Sequence, residues 1–312
     1  MFLKCFLCII LYLKLCFSNN NTTVLQNAEL GMWVPRVVKG FAAAKGDVPY
    51  QVAMKALLSR ARREYKTFCG ATILTKTKLL TAAHCFEERA SSCHKIFFPG
   101  TVRTSFLKKK YAVAGNLYNK AKYSADGPEG QWRRLHSVYH PKKYKFPKHD
   151  IAVAFTKRPF IFTSFIQPIP MASRNTDYVG QCLVSGFGRT GPSKLDQSEI
   201  LLLANLDVMP KLLCNKVHRK KMDRFVCTSS QLADVGKGDS GGPLICSKTG
   251  DPNDRGKGVL VGVVCGHTTG RGSYFTRVSR YRNFVRKSNS ISVFMSSNIK
   301  TCTAITVTLI YR

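Results

Sequence analysis

The apolar residues of this chain occur in short runs that Gly and Pro interrupt, and this pattern restricts the fold more than any other feature. Residues 151–155 form one such run, which has the length of a strand rather than of a helix. The chain has 312 residues, of which 44% are hydrophobic, so it can bury the core of one large domain or of two small ones. We therefore predict a β-rich architecture.

The first eighteen residues predict a secretory signal peptide. They are apolar, and the small residues Cys16 and Ser18 precede a cleavage point after Ser18. An uncleaved anchor is the alternative, but the run is too short to span a bilayer comfortably. Because no other stretch reaches about 18 apolar residues, we expect a secreted, extracellular protein without a membrane span.

Twelve cysteines are present, and three of them lie within residues 1–18. In a secreted chain the rest indicate disulfides. They are Cys69, Cys85, Cys93, Cys182, Cys214, Cys227, Cys246, Cys265 and Cys302. Because their number is odd, at least one is free or pairs between molecules. No Cys and His spacing is typical of zinc, so we expect neither a metal nor another cofactor.

The charge of the chain is extreme for a globular protein. Lys and Arg number 49 against 17 acids, which gives a net charge of +32. Such a charge predicts attraction to polyanions such as sulfated glycans, nucleic acid or acidic proteins. Residues 131–149 and 271–287 are basic runs that contain no acid, and we expect them to form a polyanion site. A solvated charged surface is the alternative.

Residues 233–244 read ADVGKGDSGGPL and hold one serine among four glycines. A serine hydroxyl is a weak nucleophile that needs a base and donors for the oxyanion it forms. Glycine permits dihedrals that point successive N–H groups into one spot, so the N–H groups of Gly238 and Ser240 are a candidate oxyanion hole. Alone, this segment could be an ordinary turn.

Two further motifs supply partners for Ser240. His84 follows an apolar strand in LLTAAHC, and Asp150 precedes another in KHDIAVAF. A Cys69–Cys85 bridge would close a short loop and fix the backbone of His84, which stabilises by roughly 3 kcal/mol. A partly buried aspartate can orient an imidazole, so the three side chains predict nucleophilic catalysis.

TAAHC, DIAV and GDSGGP, in this order, resemble the chymotrypsin–trypsin family of serine proteases over residues 37–287. The resemblance implies an all-β fold of two six-stranded antiparallel barrels with a short C-terminal helix. It also implies that Ser240 is the nucleophile, His84 the general base and then acid, and Asp150 the orienting carboxylate. The segment 276–287 fits the helix, because Val278, Tyr281 and Val285 recur at three- and four-residue spacing.

The same resemblance implies two more disulfides, which pair Cys182 with Cys246 and Cys214 with Cys227. The partners of Cys93, Cys265 and Cys302 stay open.

An activation site is implied as well. Cleavage after Arg36 would free Val37, whose α-amino group pairs with the aspartate before the catalytic serine, here Asp239. Residues 19–36 would then be a propeptide, which carries overlapping glycosylation sequons at Asn20 and Asn21. Residues 37–287 would be the protease domain, and 288–312 a C-terminal extension of unknown structure.

Asp234, six residues before Ser240, stands where the family places the base of its primary specificity pocket. A carboxylate there attracts Lys or Arg, whereas the alternative is a solvated loop aspartate. Three positions depart from the pattern: Gly236 replaces a usual cysteine, Cys265 or Gly266 stands in a usual Ser-Trp-Gly run, and Ser273 lies near a usual glycine. These departures point to narrow or weak trypsin-like activity.

We therefore expect a secreted, zymogen-activated serine endopeptidase that cleaves protein substrates after Arg or Lys and that meets protein inhibitors. One alternative is a cationic polyanion-binding protein on the same fold, with weak or no catalysis. Another keeps the protease chemistry but has non-tryptic specificity.

Overall fold

The structure is a computed structural model, and it describes the central part of the chain. The described residues are 40–87, 100–127, 130–173, 177–178, 180–190, 197–230 and 234–288. The expected signal peptide and propeptide, with Arg36 and Val37, lie outside these ranges, as does the extension beyond residue 288.

Fifteen strands and one complete helix are described. In chain order they are β1 (Phe41–Ala42), β2 (Gln51–Ser59), β3 (Glu64–Ile73), β4 (Lys78–Thr81), β5 (Lys110–Ala114), β6 (Lys120–Lys122), β7 (Asp126–Gly127), β8 (Gly130–Tyr139), β9 (Ala152–Thr156), β10 (Gly180–Gly186), β11 (Leu202–Val208), helix α1 (Lys211–His218), β12 (Phe225–Cys227), β13 (Pro243–Cys246), β14 (Val259–Thr268) and β15 (Gly272–Arg277). A 3-10 turn over Val278–Tyr281 leads into a second helix, α2, described over 282–288.

The first barrel has six main antiparallel strands in the order β2-β5-β8-β9-β4-β3, and pairing of β2 with β3 closes it. The short strands β6 and β7 add to its rim. Val52, Met54, Ala71 and Ile73 are among the side chains that fill its interior. They alternate along β2 and β3, as the two-residue period of a strand requires.

The second barrel has the order β11-β10-β13-β14-β15-β12, and a bridge between Val208 and Thr228 closes it. The short strand β1 pairs with the outer edge of β11. The prediction of two six-stranded antiparallel barrels is therefore confirmed.

A third apolar cluster fills the space between the barrels. Leu80 and Val153 enter it from the first barrel, and Leu260 and Val263 enter it from the second. The C-terminal segment closes the cluster, because Val278, Tyr281 and Val285 are at most 5% exposed within it. The face predicted for the terminal helix is the buried face.

Three disulfides join cysteines of the described ranges, and they are the pairs that the sequence suggested: Cys69–Cys85, Cys182–Cys246 and Cys214–Cys227. The thiol of Cys265 is buried and free. Cys93 and Cys302 lie outside the described residues.

Within the described ranges, no helix is both long enough and apolar enough to cross a bilayer.

Candidate active site

His84 is held at the end of β4 by its surroundings on both sides. All four residues of β4 are buried, and the chain then enters a 3-10 turn over Ala83–Phe86 that contains His84. The Cys69–Cys85 disulfide ties this turn to β3. The backbone of His84 is therefore fixed, while its imidazole remains 20% exposed.

Asp150 binds His84 through both carboxylate oxygens. Oδ1 accepts the backbone N–H of His84 at 2.9 Å, and Oδ2 lies 2.6 Å from Nδ1 of the imidazole. The Asp150 side chain is fully buried, and the hydroxyl of Thr276 donates to its backbone carbonyl at 2.6 Å. Because an ionised carboxylate only accepts, Nδ1 carries the proton and Nε2 is left as the acceptor or basic nitrogen.

Ser240 belongs to the second barrel but is anchored to the first. Its carbonyl accepts the N–H of Gly70 on β3 at 2.7 Å and lies 3.8 Å from Sγ of Cys85. Gly241 has φ +79°, and a Cβ there would strike Thr81 and the carbonyl of Gly70. These contacts bring Ser240, His84 and the carboxylate of Asp150 to one junction between the barrels.

The glycines at this junction leave no room for side chains. A Cβ on Gly70 would lie 2.8 Å from Cα of Gly242, and a Cβ on Gly242 would lie 2.9 Å from the carbonyl oxygens of Asp239 and Ser185. Real Cβ atoms do not approach other atoms this closely. Glycine at position 70 therefore permits the close approach of the two barrels, and glycine at position 242 permits tight packing within the second barrel.

Two backbone N–H groups are available beside Ser240. Among the described residues, neither the N–H of Gly238 nor that of Ser240 has an acceptor, although Asp239, Gly241 and Gly242 all donate to carbonyls. Gly238 has φ +119°, and a Cβ there would lie 2.8 Å from Nε2 of Gln197. Both residues are half-buried, so the two donors can be reached from outside and are suited to an incoming oxyanion.

Asp239 points away from Ser240 into the second barrel. It is fully buried, and its carboxylate accepts the N–H groups of Gly188 at 2.7 Å and of Gly236 at 2.8 Å. Burial raises the pKa of Asp239 to about 6, although these two hydrogen bonds act in the opposite direction. No described residue forms an ion pair with this carboxylate.

Asp234 is buried as well, at 8% exposure, and it is not a solvated loop residue. Its Oδ1 accepts the N–H of Val235 at 2.9 Å and a hydrogen bond from the hydroxyl of Ser273. Ser273 is itself fully buried on β15. Ser273, which lies near a usual glycine position, therefore caps the carboxylate at the expected pocket base.

Cys265 on β14 is a contact of the site that the sequence analysis missed. Its thiol is 2% exposed and lies 3.8 Å from the carbonyl of Pro147. Burial raises the pKa of this thiol, and the nearby Asp150 carboxylate raises it further. The thiol is therefore protonated, and it lies near the carboxylate that binds His84. The unusual residue in the pocket wall was the signal, but its partner was not visible in the sequence.

One group of potential metal ligands is found in the described part of the chain, and it consists of Cys69, His84 and Cys85. Both cysteine sulfurs are in a disulfide, so they cannot act as thiolate ligands.

The acid-free runs are not uniform surfaces. Arg133 is 3% exposed and pairs with Asp126 at 2.7 Å, and Arg277 is 8% exposed and pairs with Asp177 at 2.5 Å. Other members, including Lys142, Lys145 and Arg286, are exposed. A polyanion site along either run would have to use the exposed members.

Comparison with known proteins agrees with this arrangement. A family model described as Trypsin matches residues 37–285. Rat "Transmembrane protease serine 9" is 31% identical over 260 residues, which are 80% of this chain but only 22% of that protein. Mouse "Kallikrein-1" is 28% identical over 263 residues, 81% of this chain and 89% of the relative. Mouse "Kallikrein-11" is 27% identical over 266 residues, 81% and 82% of the two chains. With this match over most of its length, two closed barrels and the His84–Asp150 pair beside Ser240, the chain belongs to the trypsin family of serine proteases.

Proposed function

We propose that this chain is a secreted serine endopeptidase, made as a zymogen, that cleaves proteins after Lys or Arg. The observation that carries the proposal is the junction between the barrels. There, a fully buried Asp150 binds Nδ1 of His84 at 2.6 Å, and Ser240 is anchored beside them through Gly70.

In this proposal Ser240 attacks the carbonyl carbon of the scissile bond while Nε2 of His84 takes the hydroxyl proton. Asp150 stabilises the imidazolium and keeps the ring oriented. The N–H groups of Gly238 and Ser240 hold the oxyanion of the tetrahedral intermediate. His84 then gives its proton to the leaving amine, and a water molecule hydrolyses the acyl-enzyme by the same steps.

The state of Asp239 supports the proposal of activation by cleavage after Arg36. A buried carboxylate whose pKa is raised by desolvation is costly to ionise. The new ammonium group of Val37 would offset this cost, as a buried charge requires a partner. The carboxylate also binds Gly236, close to the oxyanion donor Gly238. Pairing with the ammonium would therefore order the loop that holds the oxyanion.

Specificity for basic side chains depends on Asp234 in this proposal. Its burial means that a cation reaching it is largely desolvated, so the charge pair discriminates strongly against neutral side chains.

A cationic binding protein with weak or no catalysis is the second candidate. The unusual residues in the wall of the expected specificity pocket favour it. Cys265 or Gly266 stands in a usual Ser-Trp-Gly run, Ser273 lies near a usual glycine, and the net charge is +32. Such a protein would bind sulfated glycan or nucleic acid with a steep dependence on salt. A protein inhibitor that reacts with Ser240 would bind the enzyme but would not bind this alternative in the same way.

One experiment separates these candidates. The purified full chain is cleaved after Arg36 and incubated with a peptide library, with Ser240→Ala as the matched control. We expect cleavage after Lys and Arg that the control lacks. Cleavage after other residues would contradict the specificity. No cleavage, together with retention on heparin at about 0.15 M salt, would favour the binding protein.

A further inference from the structure

A turn rich in lysine borders the candidate active site. Residues 142–148 contain Lys142, Lys143, Lys145 and Lys148 and no acid, and all four lysines are exposed. Phe146, in the same turn, lies edge-on to the imidazole of His84, with ring centroids 5.5 Å apart. The four charges therefore flank a side chain that touches the proposed general base.

The turn has a defined position. Lys145 and Lys148 exchange backbone hydrogen bonds, 3.0 Å from Lys145 N–H to Lys148 O and 2.6 Å in the other direction. Tyr144 packs against the core of the first barrel, and the carbonyl of Pro147 faces the thiol of Cys265 on β14. The lysines are consequently presented at a fixed rim between His84 and β14.

The positive charge of the turn is not neutralised within the described residues. None of the four lysines forms an ion pair there, and their field reaches a neighbouring side chain. The pKa of His149 is lowered, first by burial and then by Arg224, Lys143 and Lys148. Of the acids that act on this region, Asp150 is buried against His84, and Glu87 is exposed and helps to raise the pKa of Tyr144 after burial and Asp150. The adjacent Glu88 lies outside the described ranges.

An extended peptide can lie beside this turn. Along β14, pairing with β13 ends at Val263, whereas pairing with β15 continues to Thr268. Residues 265–268 thus have one neighbouring strand among the described residues, and their other edge can accept a substrate strand. Because Cys265 faces Pro147, a peptide on this edge would pass the lysine turn.

We propose that the turn 142–148 selects protein substrates with Asp or Glu within about four residues N-terminal to the scissile bond, since an extended chain advances about 3.3 Å per residue. The inference rests on the proposed peptidase function and specifies its substrate class. A single exposed ion pair contributes little, so selection depends on several lysines acting together and on electrostatic steering.

The test compares two peptides that share a cleavable Lys and differ only in three preceding residues, which are Asp in one and Asn in the other. The variant Lys143→Gln/Lys145→Gln/Lys148→Gln is set against Lys157→Gln/Arg255→Gln/Lys257→Gln. The control residues are exposed and follow β9 or precede β14, at strand ends away from Asp150 and Gly242. Each variant loses three positive charges.

We expect the activated wild type to favour the Asp peptide by about tenfold in kcat/KM at low salt. The ratio should fall to about one in the turn variant, remain in the control variant, and decline in 1 M salt, where the Debye length is about 3 Å. Equal cleavage by the wild type would overturn the proposal. An equal loss in both variants would assign the effect to net charge and overturn it too, as would a preference for acids only after the scissile bond.

A binding measurement distinguishes failure of this proposal from failure of the peptidase proposal. If neither peptide is cut, binding of the fluorescent Asp and Asn peptides to the Ser240→Ala protein still tests the turn. Tighter binding of the Asp peptide, abolished in the triple turn variant, would support the recognition surface. Equal binding of the two peptides would reject it.

Discussion

The two sides of the cleft can be compared residue by residue. On one side, Asp150 binds both the backbone N–H and the imidazole of His84, and the carbonyl of Ser240 is anchored to Gly70. On the other side, the wall around Asp234 holds a buried serine against the carboxylate and a thiol against Asp150. The chemical step depends on a few contacts with little freedom, whereas the wall can change while the fold is kept. Four predictions test this contrast.

The largest effect should come from the chemical side. Ser240→Ala should lower kcat by roughly six orders of magnitude, and adding His84→Ala should cost little more, because triad members act as a unit. Steady-state kinetics on a peptide with Lys before the scissile bond measures both variants. Losses that multiply would show that the two residues act independently.

The next effect lies in the wall. Asp234→Ser should lower kcat/KM on Lys and Arg substrates by roughly 10³-fold, because a desolvated cation would lose its counter-charge. Hydrolysis after an uncharged residue by the same variant is the control and should not fall in proportion. An unchanged preference for basic residues would place the carboxylate of the pocket elsewhere.

The next prediction concerns Asp239, whose ionisation should make the stability of the uncleaved protein depend on pH. Its pKa in the folded chain is raised to about 6, so between about pH 4 and 6 the unfolded chain loses a proton that the folded chain keeps. The stability of the uncleaved Arg36→Gln protein should therefore fall by about 3 kcal/mol as pH rises through this window.

Denaturant midpoints at several pH values measure this slope. In the cleaved protein an ammonium beside Asp239 would lower its pKa, and the slope should disappear or reverse. The same slope in both forms would contradict the proposed ion pair.

The smallest effect concerns Cys265. A hydroxyl is a stronger donor than a thiol, so Cys265→Ser should raise kcat several-fold if the new hydroxyl donates to the nearby Asp150, and Cys265→Ala should lower it about tenfold. Values of kcat and KM obtained separately distinguish this positioning role from substrate binding, which would appear in KM. Equal kcat for the Ser and Ala variants would mean that the thiol only fills space.

The sequence predicted the features that depend on short, local residue patterns. The strand pattern indicated a β-rich fold, local motifs pointed to His84, Asp150 and Ser240, and a three- and four-residue spacing identified the buried face of the terminal segment. The family resemblance implied the two barrels, the His84–Asp150 contact and two of the disulfides. Other contacts between distant segments were not predictable. Ser273 and Asp234 are 39 residues apart, and only the fold brings them together.

Burial of charge was equally hidden. Arg133 and Arg277 belong to runs that look solvent-exposed in sequence, yet both are buried and paired with an aspartate. Whether a charged residue faces water depends on which segments pack over it in the fold, and the positions of the charges in the sequence do not show this packing.

The glycines at the junction of the barrels have a consequence for mutational tolerance. Gly70 and Gly241 have no proposed catalytic role, but a Cβ on either of them collides with atoms of the facing barrel. In a saturation library these positions should be as depleted as Ser240, although their variants would fail through displacement of the nucleophile. The two halves of the molecule therefore cannot diverge independently along this seam, and a barrel exchanged between distant relatives would have to bring a matching glycine edge with it.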